Sequence, residues 1–169
     1  MTVAADTGDR SVHASAVTVG TTGILIRGPS GAGKSQLAFD LVLAGRARQI
    51  PDTHLVGDDR IFLSLTGGHV IARPAPQLAG LIEIRGLGLR RCDFVPQARI
   101  GLVVDLAAAD AARVPEPESL LTSILGTEIP RIPVGNRDRA LPLVMAWLLT
   151  ASMEAASPAA FRQLPESNC

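Results

Sequence analysis

Apolar positions along the chain fall in short clusters separated by turn residues. Val17 and Val19 alternate with small polar residues, which marks a weak strand within 12–19. Gly23-Ile24-Leu25-Ile26-Arg27 reads as a short buried strand, and it stops at Gly28-Pro29-Ser30-Gly31. The period then changes. Leu37, Ala38, Leu41 and Val42 share one face of a helix over about 34–44, with Gly45 as its stop. A polar loop over 46–53, containing Pro51, leads to a second short strand at Leu55-Val56, which ends at Gly57-Asp58-Asp59. Strands over 61–66 and 69–72 flank Gly67-Gly68, a two-residue hairpin signal. Pro74 and Pro76 end that unit, and 77–84 fits either a short helix or a strand. Residues 100–106 (IGLVVDL) form a late strand, and 107–118 a loop with Pro115 and Pro117. Residues 129–134 read as a proline-interrupted edge segment, and 141–156 as the main C-terminal helix.

Neither a repeat nor a linker divides this pattern, and 169 residues suit one domain. The expected fold class is α/β, with a flexible polar N-terminus over 1–11, a single domain over 12–156 and a polar tail over 157–169. Composition narrows the choices. Apolar residues make up 47% of the chain, too many for a disordered one. Sixteen basic residues balance sixteen acidic ones, which argues against a nucleic-acid binder. No apolar run reaches the roughly 18 residues of a membrane span, and the N-terminus is unlike a signal peptide. Cys92 and Cys169 make a poor disulfide framework and read as reduced thiols. The expectation is a soluble cytoplasmic protein with no membrane and no nucleic-acid partner.

Fifteen of the sixteen basic residues are arginine, and Lys34 is the single lysine. It lies in GPSGAGKS, residues 28–35, which fits G-x-x-x-x-G-K-[ST]. With this composition the motif arises by chance in about one chain in a thousand. It also sits between an expected strand and an expected helix. Gly28, Gly31 and Gly33, with Pro29, Ser30 and Ala32 between them, let the backbone curl with its N–H groups around a polyphosphate. The following helix points its positive end at the same place. Lys34 reaches the outer phosphates as a compact charge that arginine's planar fork does not replace. Ser35 offers a hydroxyl to Mg²⁺.

The class of phosphate-binding protein can be narrowed further. An Asn-Lys-x-Asp base reader is impossible, because the one lysine is already used. Residues 65–69 imitate a transporter signature, but a proline-rich turn follows them and they read as a hairpin. Gly86-x-Gly88 lacks the third glycine of a dinucleotide fingerprint, and no Cys/His cluster has zinc spacing. Asp58-Asp59 closes a strand 23 to 24 residues after Ser35. Carboxyl ends of neighbouring strands share one crevice in an α/β sheet, so a carboxylate there can hold Mg²⁺ or take a proton from a hydroxyl. Glu83 and Arg85, in EIRGLGL, place a carboxylate beside a guanidinium in a segment closed by Gly86 and Gly88.

The order GPSGAGKS, GDDR (57–60) and EIRGLGL (83–89) resembles HPr kinase/phosphorylase, over roughly residues 11–150. Enzymes of that family use ATP to phosphorylate a serine of the phosphocarrier protein HPr. They remove the phosphate with inorganic phosphate, releasing pyrophosphate. The resemblance implies a P-loop kinase domain similar to the nucleotide-binding part of phosphoenolpyruvate carboxykinase. It also implies Mg²⁺ as cofactor, an HPr-like partner, hexamer formation, and a short form holding the catalytic domain only. By matched position, His13 is catalytic, Lys34 is the P-loop lysine, and Ser35 and Glu83 are magnesium ligands. Asp59 matches the aspartate that takes the serine proton, with Asp58 its acidic neighbour. Arg113 matches a later catalytic arginine, although the family's Arg-Leu-Gly is Arg113-Val114-Pro115 here. Arg85, Gly86 and Gly88 fall in the loop near the phosphates. The loop over 46–54 is longer than usual. GNRDR, 135–139, departs from the family's Gly-Arg-Asn in the region tied to dephosphorylation. Two other readings use the same loop: a non-catalytic ATP-sensing module, and a kinase of small metabolites.

Overall fold

A computed structural model describes residues 9–150. The strands are β1 (Arg10–Val12), β2 (Ser15–Val19), β3 (Thr22–Arg27), β4 (Thr53–Gly57), β5 (Ile61–Thr66), β6 (His69–Pro74), β7 (Leu81–Ile84), β8 (Gly88–Arg91), β9 (Ala98–Leu106), β10 (Leu121–Ile124) and β11 (Thr127–Val134). The helices are α1 (Lys34–Arg46) and α2 (Ala140–Leu149), with one-turn 3₁₀ helices at Pro76–Leu78 and Pro117–Leu120. The class is α/β, built on a mixed nine-stranded sheet with few helices.

The strand path runs β1-β5-β6-β9-β3-β2-β4. β3 and β9 are parallel, as are β9 and the second half of β11. β2 lies between β3 and β4 and is antiparallel to both. The carboxyl ends of β3 and β4 therefore emerge at one edge of the sheet, where β2 begins. This arrangement brings residues from three distant stretches of sequence to one place.

Each sheet face has its own core. The apolar stripe of α1, Leu37, Ala38, Leu41 and Val42, is buried against Ile24, Ile26, Leu102 and Val104. Leu41 has no exposed surface, and truncating such a side chain to alanine costs roughly 2–5 kcal/mol. On the other face the β5–β6 hairpin places Leu63 and Val70 in a cluster with Leu25 and Val103. The alternation along β3 explains the split: Ile24 and Ile26 face α1, while Leu25 faces the hairpin.

Several boundaries differ from the sequence reading. Ordered structure begins inside the polar stretch expected to be flexible, because Arg10–Val12 pairs with Ile61–Leu63. α1 runs through Gly45, which is not a stop: a Cβ there would lie 2.7 Å from Thr53 Cβ, so glycine lets helix and strand touch. The ambiguous 77–84 stretch is both things, a 3₁₀ turn and then a strand. The expected edge segment starts at Thr127; its first half pairs with β10 and its second half with β9. The C-terminal helix starts at Ala140, and its expected end beyond 150 lies outside the described residues, as does the tail over 157–169.

Candidate active site

The sharp turn between β3 and α1 carries Gly28 to Gly33. A Cβ on Gly28 would sit 3.0 Å from the carbonyl oxygen of Leu106, so only glycine lets the loop leave the sheet against β9. Gly33, at the N-terminus of α1, has φ +97°, a conformation glycine reaches without strain. Lys34 is buried, and its Nζ donates to the carbonyl oxygens of Gly28 (2.9 Å) and Pro29 (3.1 Å). The lysine thus folds back over its own loop, with its charge held above the helix N-terminus.

Asp58, at the end of β4, is 4% exposed and accepts from three partners. Ser35 Oγ lies 2.9 Å and 2.8 Å from its two carboxylate oxygens. Ser15 Oγ donates at 2.5 Å, and the Glu83 backbone N–H at 3.1 Å. One buried carboxylate thereby ties α1, the start of β2 and β7 together. Such a charge is tolerated because its oxygens are satisfied by hydrogen bonds. With its proton committed to Asp58, Ser35 Oγ keeps its lone pairs for a cation.

Asp59 is the opposite case. Its side chain is 69% exposed and its φ is +67°, unusual for a residue with a Cβ. This conformation turns the carboxylate away from Asp58 and into the cleft. His13, in the bend between β1 and β2, meets it with Nε2 3.1 Å from Asp59 Oδ1. Two adjacent aspartates thus have different surroundings: one is buried and fixed, the other exposed and paired with a histidine.

EIRGLGL folds as the β7–β8 hairpin, with Glu83 paired to Leu89. Gly86 and Gly88 adopt φ +88° and +77° at its tip. Glu83 and Arg85 line the cleft, while Leu87 and Leu89 are exposed.

These groups share one open cleft of about 560 Å³, lined by His13, Ser30, Gly31, Gly33, Lys34, Ser35, Gln36, Asp58, Asp59, Glu83 and Arg85. Gly28 and Pro29 contribute carbonyl oxygens to Lys34, and Ala32 faces a second cleft on the other side of the loop. Gly86 and Gly88 are in the hairpin beyond the lining. Arg113 is not brought in: it is exposed in the loop after β9 and does not line the cleft. Among the described residues no group of three or more His, Cys, Asp or Glu is placed to hold a metal. The oxygens of Ser35, Asp58 and Glu83 could hold Mg²⁺ if phosphate and water complete its shell, the usual arrangement for that ion. No helix among the described residues is long and apolar enough to cross a membrane.

A family model described as the HPr Serine kinase C-terminal domain matches residues 6–154. The chain belongs to this family. An HPr kinase/phosphorylase of Geobacillus thermodenitrificans is 33% identical over 138 residues, which cover 75% of this chain and 42% of that protein. One of Mycoplasma mycoides is 45% identical over 78 residues, 46% of this chain and 22% of that protein. The chain thus spans less than half the length of these curated relatives. A solved structure of the Hpr(Ser) kinase/phosphatase from Coxiella burnetii aligns with a TM-score of 0.65 at 26% identity, covering 83% of this chain and 88% of that one.

Behind this cleft lies an ion-pair network that sequence reasoning missed. Arg27, the last residue before Gly28, donates from Nε and Nη2 to both oxygens of Asp105, each at 2.7 Å. Arg131 donates to Asp105 from Nε at 2.5 Å, and to Asp110 from Nη1 at 2.7 Å and Nη2 at 3.0 Å. Burial works against ionisation of Asp105, but the hydrogen bonds from Arg27 and Arg131 outweigh it and hold the carboxyl below its ordinary range. Hydrogen bonding to Asp110 raises the Arg131 guanidinium further above its already high value. The network pins the end of β3, where the phosphate loop starts, to β9 and β11. The hints of it in the sequence were charges in largely apolar strands: Arg27 at the end of β3, Asp105 in β9 and Arg131 in β11. Ser15, the partner of Asp58, gave no signal, because a small polar residue in a strand is ordinary.

Proposed function

We propose that this chain is the catalytic domain of an ATP-dependent protein-serine kinase acting on an HPr-like phosphocarrier protein. The observation that carries this reading is the placement of two aspartates around one phosphate loop. Asp58 anchors Ser35 from below, and Asp59, paired with His13, faces the same cleft. A module that only senses ATP has no use for an exposed, strained carboxylate beside a histidine.

The proposed reaction rests on these groups. The loop amides, the N-terminus of α1 and Lys34 bind the phosphates of ATP and neutralise their charge. Ser35, Glu83 and the Asp58 carboxylate behind them would hold Mg²⁺, which when bound offsets charge on the outer phosphates. Asp59 orients the incoming serine and accepts its proton, while His13 holds the carboxylate in place. The serine oxygen bonds to the terminal phosphorus, the bond from that phosphorus to the bridging oxygen breaks, and ADP leaves. Arg85 lies on the same wall, where its guanidinium can meet a phosphoryl oxygen. In the reverse direction inorganic phosphate occupies the loop and gives a proton to Asp59, and its oxygen bonds to the phosphoserine phosphorus as the bond from that phosphorus to the serine oxygen breaks. The serine oxygen then takes the proton back from Asp59, and pyrophosphate is released.

The finer fold assignment, a P-loop kinase domain akin to the nucleotide-binding part of phosphoenolpyruvate carboxykinase, goes with this reading. So does assembly into a hexamer, which the exposed Leu87, Leu89, Leu143 and Trp147 would favour. The test is incubation with Mg²⁺-ATP and a purified HPr-like protein, followed by mass spectrometry. One phosphate on one serine, absent when that serine is alanine, is expected. Label on a histidine, or equal ATP consumption with small metabolites, would reject the reading.

A further inference from the structure

Asp105, near the end of β9, lies between two guanidinium groups. Its neighbours across the sheet are Arg27 in β3 and Pro133 in β11, and Arg131 precedes that proline by two residues, on the same face. Charges therefore alternate along Arg27, Asp105, Arg131 and Asp110. The side chains of Arg131 and Asp105 are only 12% and 16% exposed, so salt screens their pairing weakly. Arg27 Nη2 also lies 3.3 Å from Thr122 Oγ1 in β10. None of these side chains lines the cleft that holds Lys34 and Asp59.

We infer that Arg27 is a positioning residue for phosphoryl transfer: held by Asp105 and Arg131, it fixes the Gly28 carbonyl that aims the Lys34 ammonium. This inference rests on the kinase reading of the cleft.

The phosphate loop is held from its two ends by different means. At the helix end, Ser35 is bonded to Asp58 and the α1 stripe is buried, which sets the loop amides and the helix N-terminus. At the strand end, the loop begins directly after Arg27. Gly28 leaves the sheet against Leu106, the residue after Asp105. The fork from Arg27 to both oxygens of Asp105 thus fixes Gly28 and the backbone it leans on together. Such a two-pronged bond sets direction as well as distance. The Gly28 and Pro29 carbonyls in turn accept two of the three ammonium donors of Lys34, which leaves the third for a phosphate oxygen. Loosening the fork disturbs the aim of this charge. It leaves the helix end, which carries most of the contacts to bound ATP, in place.

The test uses the fact that Lys34 is the single lysine, so isotope-labelled lysine gives one side-chain ammonium signal in nuclear magnetic resonance. Arg27→Gln and Asp105→Asn each remove the fork without adding a lysine. Val70→Ala is the destabilised control: it opens a cavity in the opposite core, where the next residue, Ile71, pairs near the start of β9. Both fork variants should shift the Lys34 signal and lower kcat by about 10–100-fold, with the KM for ATP changed less than about threefold. Val70→Ala should lower the melting temperature and move neither readout. An unchanged Lys34 signal with parental kcat in a folded Arg27→Gln would overturn the inference, as would the same losses in Val70→Ala. No transfer by the parent would instead overturn the kinase reading, and the inference with it.

Discussion

Ser35 Oγ lies within 2.9 Å of both carboxylate oxygens of Asp58, while the next residue, Asp59, turns its carboxylate out to His13. The positive φ of Asp59 separates the two neighbours. Replacing each should therefore give different defects. Asp59→Asn keeps the shape and loses the base, so ATP should bind nearly as well while turnover falls by roughly 10²–10⁴-fold. Asp58→Asn leaves the donors from Ser15, Ser35 and Glu83 short of acceptors, at a cost of about 1–3 kcal/mol. It should weaken Mg²⁺-ATP binding and lower the melting temperature together. Titration calorimetry and single-turnover kinetics on both variants separate the effects. Identical profiles would show that the residues share one role.

Lys34→Ala should reduce phosphoryl transfer by roughly 10²–10³-fold, the scale for removing one donor to the transition state. Lys34→Arg should not restore it. The ammonium donates to the Gly28 and Pro29 carbonyls as a compact point charge, which a planar guanidinium does not reproduce. Full activity in Lys34→Arg would contradict the loop's assignment.

Glu83→Gln should raise the Mg²⁺ concentration needed for half-maximal activity, because a hard cation prefers a charged oxygen. Its backbone N–H still reaches Asp58, so the hairpin should remain in place. A Mg²⁺ titration unchanged from the parent would reduce Glu83 to a surface charge.

The phosphate loop was legible because its chemistry fixes residue type and spacing at once. The α1 stripe was legible because a 3.6-residue period repeats over three turns. The joining of the site was less visible. His13 and Ser15 reach it only because β2 runs antiparallel between two parallel strands, and such pairing depends on long-range register. β1, β8 and β10 have three or four residues each, too few for alternation to show. The match of Arg113 to a catalytic position came from local sequence, and the fold leaves that residue exposed and away from the cleft lining.

The depressed Asp105 carboxyl ties stability to pH. Its value in the folded protein lies below the unfolded one, near about 3.9 for a free aspartate. The network's contribution is thus complete above that value and is lost as pH falls through the lower, folded value. Asp105→Asn should be less stable than the parent at pH 7, by about 1–3 kcal/mol. The gap should narrow below about pH 4. Urea unfolding at pH 7 and pH 3 measures this, and a gap independent of pH would show that the ion pairs with Arg27 and Arg131 are not its source.

The most direct measurement is phosphoryl transfer itself. The parent and Asp59→Asn would each be mixed with Mg²⁺-ATP and an HPr-like carrier, and the intact carrier mass followed with time. The expected result is addition of a single phosphate on serine by the parent, with nearly none by Asp59→Asn despite normal ATP binding. Transfer at parental rate by Asp59→Asn, or no transfer by a parent that binds ATP, would contradict the assignment of this cleft as a protein-serine kinase site.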